Sequence, residues 1–555
     1  MTSGRNGGSC SDRYLRVVVE TGKYLFQRLR EVGVDCTFGI PGDFALPIYA
    51  AQAKAGMRTV VCTHEPGAAF AADAYARLRG LGVVVVTYGA GALNIVNVVA
   101  MSYAEHTPLL VISAAPETTR RGPDLYLHHM VKSFESQLRI YKEITIEAVA
   151  LDAEHSGAEI DRVIDAVRNR RRPGYIEIPR DLVNAPVPRV DARPKSMPAE
   201  SFNTEALAEA VEEIARHLDS AQRPALYVGV GVRRYGLTDA ALRLAERWSL
   251  PVVSSVMGKA SFPETHRQFM GVYMGALGDQ AARKVLEDSD CVLSLGVINS
   301  DVNTGLGTGK LDPRYQIEVS EESTSVHHHR YNNVPITRMV RALAERSASR
   351  QRAQPQHIGA SPLPQNTPGS RLRTADVIGL LRGLDPAKYS FVADVGDAWF
   401  IGLELRVDIF LAPGFYATMG FAVPGALGAG IADPSRRPFV LVGDGAFQMT
   451  GPEMATMATQ GLRPIVLLLN NSCYGMLEAI DVSRPYYQLR DWDYVAVARA
   501  WGCDGERVNT RAALQEALAR AEQARGPYLI EAILEKQDVS PTMRRMSEHM
   551  AKGRK

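Results

Sequence analysis

Short apolar runs rich in β-branched residues alternate with amphipathic stretches along almost the whole chain. The first third opens with an amphipathic stretch over 22–32. Strand-like runs follow at 36–39, 59–62, 83–87, 108–113 and 175–178. Strands that alternate with helices form parallel sheets with helices on both faces. The pattern therefore predicts an α/β protein with doubly wound, mostly parallel sheets.

Two polar stretches divide this alternation into three units. Residues 191–201 and 347–371 are rich in Pro, Ser, Gln or Arg and lack apolar periodicity, so each predicts a linker. A chain of 555 residues has room for about three domains. We therefore predict three domains, over 13–190, 202–346 and 372–555, each built on a doubly wound sheet.

Composition and charge narrow the class of protein. The chain is 46% hydrophobic and 22% charged with a net charge of +2, which indicates a globular protein and argues against a nucleic-acid partner. Residues 1–12 are Gly/Ser-rich without an apolar core and predict a disordered tail, not a signal peptide. No apolar run is long enough to span a membrane. Six cysteines without CxxC pairs fit a reduced, cytoplasmic protein.

The strongest chemical signal lies where two strand-like runs of the last third end. The first run ends in Gly443-Asp444-Gly445, and the second ends in Asn470-Asn471. The carboxyl ends of parallel strands meet at one edge of a sheet, where ligands bind. A carboxylate and an amide oxygen are ligands that Mg²⁺ takes together with phosphate oxygens. Singly these motifs are turn signals, but their joint placement predicts a phosphate held through a divalent cation.

Four residues of the first third are further candidates, each with an ordinary alternative. Asp43 lies in a Pro-Gly-Asp turn, where it could simply cap a helix. Glu65 begins a helix of small residues, where its charge could complement the helix dipole. His128 and His129 are adjacent, so their side chains diverge on a strand or a helix. From the residues alone, at least one of these histidines is expected to be an ordinary surface or core residue.

Together these motifs resemble those of thiamine diphosphate-dependent 2-oxo acid decarboxylases, of the pyruvate, indolepyruvate and phenylpyruvate decarboxylase kind. The resemblance rests on GDG and NN, on the PGDF turn at 41–44 and on the HH pair at 128–129. It runs from about Tyr14 to about Pro541. It implies three α/β domains, bound thiamine diphosphate and Mg²⁺, and a small 2-oxo acid substrate. It also implies sites between subunits, and therefore a homodimer or homotetramer.

The resemblance assigns roles to the candidate residues. Glu65 would hydrogen-bond the aminopyrimidine ring of the cofactor, while Asp43, His128 and His129 would transfer protons during aldehyde release. Asp444, Asn471 and the main-chain carbonyl of Cys473 would bind Mg²⁺. The residues that would contact the cofactor in the last third are Ala417, Met419, Asp444, Gly445, Ala446, Asn471, Cys473 and Tyr474.

Met419 has two interpretations that agree on its burial. By resemblance it wedges between the two cofactor rings; otherwise it fills a gap in the core. The small residues after Glu65 are expected to pack at a subunit interface. The Lys/Arg-rich carboxyl end is expected to be frayed. In the middle third, Gly229-Val230-Gly231 is a lone GxG without a third glycine, so a dinucleotide or flavin is disfavoured there.

One position departs from the pyruvate decarboxylase pattern. Those enzymes carry a catalytic Glu six residues after the second Asn, where this chain has Leu477, followed by Glu478. One residue corresponds to about 100° of helix rotation. Either the helix starts differently and Glu478 enters the site, or the site lacks this acid, as in bacterial phenylpyruvate-type members. We favour the second interpretation, because Leu477 would enlarge an apolar pocket.

These observations predict non-oxidative decarboxylation of a bulky or aromatic 2-oxo acid, phenylpyruvate or indolepyruvate, to an aldehyde and carbon dioxide. An alternative is a benzoylformate decarboxylase-like or carboligating enzyme, because the YGML segment that begins at Tyr474 resembles the loop of the former. A catalytically silent scaffold is a third hypothesis. The retention of Glu65, Asp444 and Asn471 together argues against it.

Overall fold

The computed structural model describes residues 19–122, 125–187, 202–350, 352–353, 355, 363 and 369–553. The predicted tail and the first predicted linker lie outside these residues, as does most of the second linker. The described residues form three sheets of six, seven and six strands. Helices flank each sheet, so the predicted α/β class is confirmed.

The first sheet is entirely parallel. Its strands are β1 (Cys36–Gly39), β2 (Arg58–Val61), β3 (Gly82–Val86), β4 (Leu109–Ala115), β5 (Glu147–Ala150) and β6 (Gly174–Pro179). The accompanying helices are α1 (Thr21–Glu31), α2 (Leu46–Lys54), α3 (Glu65–Arg79), α4 (Ala90–Asn94), α5 (Val96–Ala104), α6 (Ser136–Ile144) and α7 (Ser156–Arg170). The strand order is β2-β1-β3-β4-β6-β5. Val83 and Val85 pack in one apolar cluster and Val84 and Val86 in another, because helices cover both faces.

The middle sheet is parallel except at one edge. Its strands are β7 (Pro224–Val228), β8 (Val252–Ser255), β9 (Phe269–Tyr273), β10 (Cys291–Leu295), β11 (Gln316–Val319), β12 (Ser323–Val326) and β13 (His329–Asn332). Its helices are α8 (Thr204–Ser220), α9 (Val230–Arg234), α10 (Thr238–Trp248), α11 (Gln280–Glu287) and α12 (Ile336–Glu345). The order is β13-β12-β11-β10-β7-β8-β9, and β12 is antiparallel to both of its neighbours.

The GxG segment of the middle domain is closed by the protein's own backbone. The Gly229 N–H donates to the Leu295 carbonyl at 2.9 Å, and the Gly231 N–H donates to the Gly296 carbonyl at 3.0 Å. A Cβ at Gly229 would lie 2.1 Å from the Gly296 oxygen, so only glycine fits. These N–H groups therefore bind within the domain instead of facing a phosphate.

The third sheet is again entirely parallel. Its strands are β14 (Tyr389–Ala393), β15 (Phe410–Leu411), β16 (Arg437–Gly443), β17 (Ile465–Asn470), β18 (Asp504–Val508) and β19 (Tyr528–Ile533). Its helices are α13 (Thr374–Leu381), α14 (Asp397–Leu403), α15 (Ala422–Ala432), α16 (Asp444–Thr450), α17 (Glu453–Thr459), α18 (Gly475–Ile480), α19 (Tyr494–Ala500), α20 (Arg511–Gln523) and α21 (Pro541–Gly553). The order is β15-β14-β16-β17-β19-β18.

The small-residue helix α3 packs closely against α15 of the same chain, and the role of its small residues at a subunit interface stays a prediction. A Cβ at Gly428 would lie 2.0 Å from the Ala71 carbonyl oxygen, so the two backbones touch. At the far end of α3, the buried Arg77 pairs with Asp73 at 2.5 Å and with Glu105 at 3.0 Å. The first and third domains are thus joined by close packing within one chain.

The carboxyl end is ordered through α21, contrary to the predicted fraying. Met543 and Met546 are buried in the apolar cluster of the middle domain. The Arg545 side chain donates to the Leu277 carbonyl at 2.7 Å. The apolar spacing of α21 therefore outweighs its basic composition. Among the described residues, no helix has both the length and the apolar character needed to cross a membrane.

Candidate active site

Three predicted site segments lie side by side at one edge of the first sheet. In the parallel register, Gly39 at the end of β1 is paired with Val61 of β2 on one side and with Val85 of β3 on the other. The segments that follow these strands contain Asp43, Glu65 and the glycine-rich loop 87–94. The register therefore brings them to the same edge, as predicted.

Asp43, His128 and His129 form a compact cluster. One ligand-type atom from each of the three residues lies within 4.8 Å of those of the other two. The Nε2 atom of His128 is 2.6 Å from Oδ2 of Asp43. Phe44 stacks on the His128 ring with 4.6 Å between the ring centroids. The HH pair and the PGDF turn are thus joined, although their side chains are half exposed in the single chain.

The hydrogen bonds of this cluster determine which of its side-chain atoms carry a proton. The Nδ1 atom of His129 lies 3.0 Å from the Tyr88 carbonyl, which can only accept, so Nδ1 carries a proton and Nε2 faces away from this contact. Burial raises the pKa of Asp43, but the hydrogen bond from His128, the Phe44 backbone N–H and the charges of both histidines together outweigh burial and hold that pKa below its ordinary value. Asp43 is therefore ionised at neutral pH and orients the His128 ring.

Backbone strain places His129 against the glycine-rich loop. His129 has a φ of 66°, a left-handed conformation that is uncommon for a non-glycine residue. A Cβ at Gly89 would lie 2.0 Å from the His129 carbonyl oxygen, so glycine is required there. The Gly89 N–H donates to the Gln137 side chain at 2.7 Å. Gln137 was missed in the sequence because no local pattern marks a buried glutamine as the anchor of a distant loop.

Glu65 is the first residue of α3 and faces the glycine-rich loop. Its Oε2 atom accepts a hydrogen bond from Asn94 at 2.9 Å. Its Oε1 atom lies 3.7 Å from the position of a Cβ at Gly91. The side chain is 19% exposed, so it is accessible to a ligand from one side. Asn94 ends the glycine-rich loop 87–94, and its contact with Glu65 is visible only in the fold.

In the third sheet, the GDG and NN motifs meet at adjacent strand ends, as predicted. Gly443 of β16 is in register with Leu469 of β17. Asp444 is 2% exposed, and its Oδ1 accepts the Gly445 N–H at 2.8 Å. Its Oδ2 atom is buried without a hydrogen-bond partner. Burial raises the pKa of Asp444 to about 6, although nearby backbone N–H groups oppose the shift.

The loop after β17 orients the other candidate metal ligands. The Asn471 Oδ1 accepts the Cys473 N–H at 3.3 Å, and the Cys473 carbonyl accepts the Gly475 N–H at 2.9 Å. A Cβ at Gly475 would lie 2.4 Å from the Asn471 amide nitrogen. Gly475 therefore sets the position of the Asn471 side chain, a role that the sequence does not reveal. A Cβ at Gly445 would lie 2.6 Å from the Tyr474 ring, so these two residues also touch.

Asp394 holds the segment that contains Ala417 and Met419. It is fully buried at the end of β14 and accepts the N–H groups of Gly420 at 3.0 Å and Ala422 at 2.8 Å. Burial raises its pKa to about 6. Ala417 has a φ of 57°, so this segment is a strained turn. Met419 is only half-buried against the core, which corrects the expectation that it is buried.

Leu477 and Glu478 lie on α18 (Gly475–Ile480), which follows the loop of candidate metal ligands. Leu477 is 42% exposed in the single chain. Glu478 accepts hydrogen bonds from Ser483 at 2.6 Å and from Gln488 at 3.2 Å. Hydrogen bonding to Cys473, and then to Ser483, lowers its pKa. Glu478 therefore ties α18 to the loop 483–488, while Leu477 projects from it.

The candidate site residues of the first and third domains make no direct bond to each other within the described residues of one chain. Glu65 forms hydrogen bonds within the first domain, and no hydrogen bond or ion pair among the described residues joins it to Met419, Asp444 or Asn471. The third domain meets the first through other residues, including Thr418 with Asn97 at 2.8 Å. Each domain thus presents a candidate half-site: the acid–base candidates lie on the first domain, and the candidate cation and phosphate ligands lie on the third.

Such a pair of half-sites on α/β domains defines an enzyme that binds a diphosphate cofactor. Comparison with known protein families identifies the enzyme family and its cofactor. Patterns of the thiamine pyrophosphate enzyme family match the chain in all three domains: the N-terminal TPP binding domain at residues 19–140, the central domain at 211–346 and the C-terminal TPP binding domain at 401–532. The chain therefore belongs to the thiamine pyrophosphate enzyme family, and thiamine diphosphate is its cofactor.

Several characterised or named proteins resemble the chain over nearly their full length. An indole-3-pyruvate decarboxylase of Azospirillum brasilense is 38% identical, with 94% of this chain and 96% of that protein covered. A probable pyruvate decarboxylase of Schizosaccharomyces pombe is 30% identical, with 93% and 94% covered. An alpha-keto-acid decarboxylase of Mycobacterium bovis is 30% identical, with 98% of each chain covered.

Proposed function

We propose that this protein decarboxylates a bulky, aromatic 2-oxo acid, such as indolepyruvate or phenylpyruvate, to the corresponding aldehyde and carbon dioxide. The observation that carries the substrate class is Leu477, which places an exposed apolar side chain on α18 beside the metal-binding loop. An acid at this position would have to be desolvated by an aromatic substrate, whereas leucine would contact it favourably. The relatives named for 2-oxo acid decarboxylation support the reaction class.

The residues of the third domain fit the cofactor's diphosphate and a Mg²⁺ ion. A buried carboxylate oxygen without a partner, Asp444 Oδ2, is costly unless a cation binds it. Nothing lies within 4 Å of the position of a Cβ at Gly443, which leaves open space beside it. Asp444, the Asn471 amide oxygen and the Cys473 carbonyl would hold the ion. The N-terminus of α16 would face the diphosphate.

The residues of the first domain fit the acid–base work. When bound, thiamine diphosphate accepts the electron pair that the departing carbon dioxide leaves behind. Glu65, at the start of α3, would hydrogen-bond the pyrimidine ring and set its tautomer. The proton on His128 Nε2 is shared with Asp43, so this pair can deliver a proton to the product carbon, with His129 Nε2 beside it. Met419 and Ala417 would contact the pyrimidine from the third domain.

The working enzyme is a homodimer or a pair of such dimers. As the family resemblance implies, Glu65 of one protomer would complete the site that contains Asp444 of its partner. Exposed apolar side chains near the half-sites, Leu46, Val61 and Met449, would then be covered. The five described cysteines are free and buried, in keeping with the reduced cytoplasm as its location.

A substrate panel tests the proposal. Purified protein with thiamine diphosphate and Mg²⁺ is given phenylpyruvate, indolepyruvate, pyruvate and benzoylformate, and products are identified by mass spectrometry. Phenylacetaldehyde or indoleacetaldehyde formed faster than acetaldehyde supports the proposal. Preferred turnover of benzoylformate, or hydroxyketone products in place of free aldehyde, would favour the alternative activities suggested by the YGML segment. No turnover of any 2-oxo acid would contradict the function.

A further inference from the structure

A cavity of about 220 Å³ lies on one face of the middle sheet, away from both half-sites. The floor consists of β7, β10 and β11, and the loop 298–312 forms the lid. Asn303 holds the lid in place: its amide oxygen accepts the Met257 N–H at 3.3 Å, and its amide nitrogen donates to the Ile298 carbonyl at 2.6 Å. At ~30 Å³ per water, the cavity could hold roughly seven waters or one small organic molecule.

The floor carries a row of polar side chains that the fold does not use. Tyr227 on β7 is in register with Ser294 on β10, which is in register with Glu318 on β11. Register partners of parallel strands point to the same face, so the three side chains lie in line. All three line the cavity.

The two hydroxyl groups of this row belong to buried residues and have no protein partner in the described part of the chain. Tyr227 is 4% exposed and Ser294 is 5% exposed. Neither hydroxyl has a hydrogen-bond partner among the described residues, nor has the Glu318 carboxylate. Glu318 is exposed, whereas Tyr227 and Ser294 belong to the buried floor of the cavity. Together they offer a ligand three polar groups without protein partners in the described ranges.

The lining selects the charge and shape of that ligand. No lysine, arginine or histidine is among the lining residues, and Glu318 contributes a negative charge. Phosphates and carboxylates are therefore disfavoured, which also excludes a dinucleotide. The Tyr273 ring packs edge-on against Tyr227 at 5.8 Å and forms an aromatic wall. A carboxylate beside aromatic rings is the usual environment for an organic cation.

We propose that this cavity binds a small organic amine, with its ammonium group at Glu318 and its apolar part against the two tyrosine rings. The hydroxyl groups of Tyr227 and Ser294 would accept further hydrogen bonds from the ammonium group. This site is independent of the decarboxylation reaction, because it shares no residue with either half-site.

Calorimetric titration of the full-length holoenzyme tests the proposal, with 2-phenylethylamine as the probe. The near-isosteric but neutral 2-phenylethanol and the anionic phenylacetate are the comparison ligands. We expect saturable binding of the amine and at least tenfold weaker binding of both others. Equal binding of the alcohol, or no saturable binding of the amine, would overturn the proposal.

Substitutions of the lining residues test whether the amine binds in this cavity. Glu318→Gln should weaken amine binding about tenfold, and Tyr227→Phe, which removes only the unpaired hydroxyl, should weaken it several-fold. Glu345→Gln is the matched control, since Glu345 is an exposed acid of the same domain without a side-chain partner among the described residues. Unchanged affinity in Glu318→Gln, with an unchanged melting temperature, would show that the amine binds elsewhere and would refute the site.

Discussion

The Nε2 atom of His128 lies 2.6 Å from the Oδ2 atom of Asp43, which joins two loops that are 85 residues apart in the chain. The contact shows how an HH pair and a PGDF turn come together in the proposed proton-transfer unit. The carboxylate keeps the imidazole oriented, and Phe44 holds its ring from the other face. Neither histidine needs to belong to a regular element, because the two loops hold each other.

Replacing Asp43 by Asn should lower kcat by about 10²- to 10⁴-fold, because a positioned acid–base group contributes that much. Cofactor affinity should not change, since Asp43 lies outside the diphosphate cradle. Steady-state aldehyde formation and calorimetric cofactor binding measure the two effects. Asp152→Asn is the control: Asp152 forms a similar pair with His155 at 3.1 Å, but on the surface. Full activity of the Asp43→Asn variant would show that Asp43 takes no part in the reaction.

Replacing Asp444 by Asn should abolish the stabilisation that thiamine diphosphate and Mg²⁺ give the protein. At 100 times the Kd, a ligand stabilises the wild type by about 2.7 kcal/mol, whereas hundredfold weaker binding leaves ~0.4 kcal/mol. Thermal melts with and without both ligands measure the difference, and chelating Mg²⁺ should reproduce it in the wild type. The exposed Asp504→Asn variant should behave as wild type. A normal ligand-induced shift in Asp444→Asn would exclude it as the metal ligand.

Replacing Leu477 by Glu should reduce kcat/KM for phenylpyruvate at least tenfold while affecting pyruvate less, because the acid would have to be desolvated by the aromatic ring. The neighbouring Glu478→Gln variant separates the two interpretations of α18. Glu478 is bound to Ser483 and Gln488, so Glu478→Gln should leave the substrate preference unchanged. A selectivity change in Glu478→Gln, and none in Leu477→Glu, would place Glu478 in the pocket instead.

The pH dependence of the free energy of unfolding should show the titration of the buried Asp397 carboxyl group. Burial raises the pKa of Asp397 to about 6, while hydrogen bonds from Ser540 oppose the shift. A carboxyl whose pKa is higher in the folded than in the unfolded state stabilises the fold when protonated. This contribution is complete below about pH 4 and is lost as the pH rises to about 6.

Asp397→Asn removes this titration. Relative to wild type, the variant should gain stability between pH 4 and pH 6, by about 3 kcal/mol at most. Melting temperatures of the two proteins over this range give the comparison. Glu516→Gln, an exposed control, should follow the wild type. Parallel curves for Asp397→Asn and wild type would mean that the folded and unfolded pKa values of Asp397 are equal.

The sequence predicts the buried strands well because burial on both faces produces continuous apolar runs. The run 465–469 predicted β17, and 36–39 coincides with β1. Three edge strands escape the prediction for the converse reason: β5 is only half-buried, β15 has two residues and β18 reads Asp-Gly-Glu-Arg-Val. The edge strand β2 is predicted, because the run 59–62 is mostly apolar. The GDG segment was read as a turn, but α16 begins at Asp444 directly after the strand.

In the candidate site, too, the residues in local motifs are predictable from the sequence, whereas those that act across the fold are not. Asp43, Glu65, Asp444 and Asn471 lie in local motifs at strand ends, so their grouping follows from the parallel register. Gln137 and Gly475 act across the fold, one on a distant loop and the other by leaving room for an amide. No spacing rule marks such residues. The burial of Met419 was overestimated because its other neighbours would come from a cofactor and a second chain.

The most direct test of the proposed site is complementation between two inactive variants. Glu65→Gln and Asp444→Asn are purified separately, mixed, dissociated and reassembled, and phenylacetaldehyde formation is measured. If each site combines Glu65 of one protomer with Asp444 of its partner, mixed dimers contain one intact site, and random assembly restores about one quarter of wild-type activity. Activity no higher than that of the separate variants would contradict a site built across two chains.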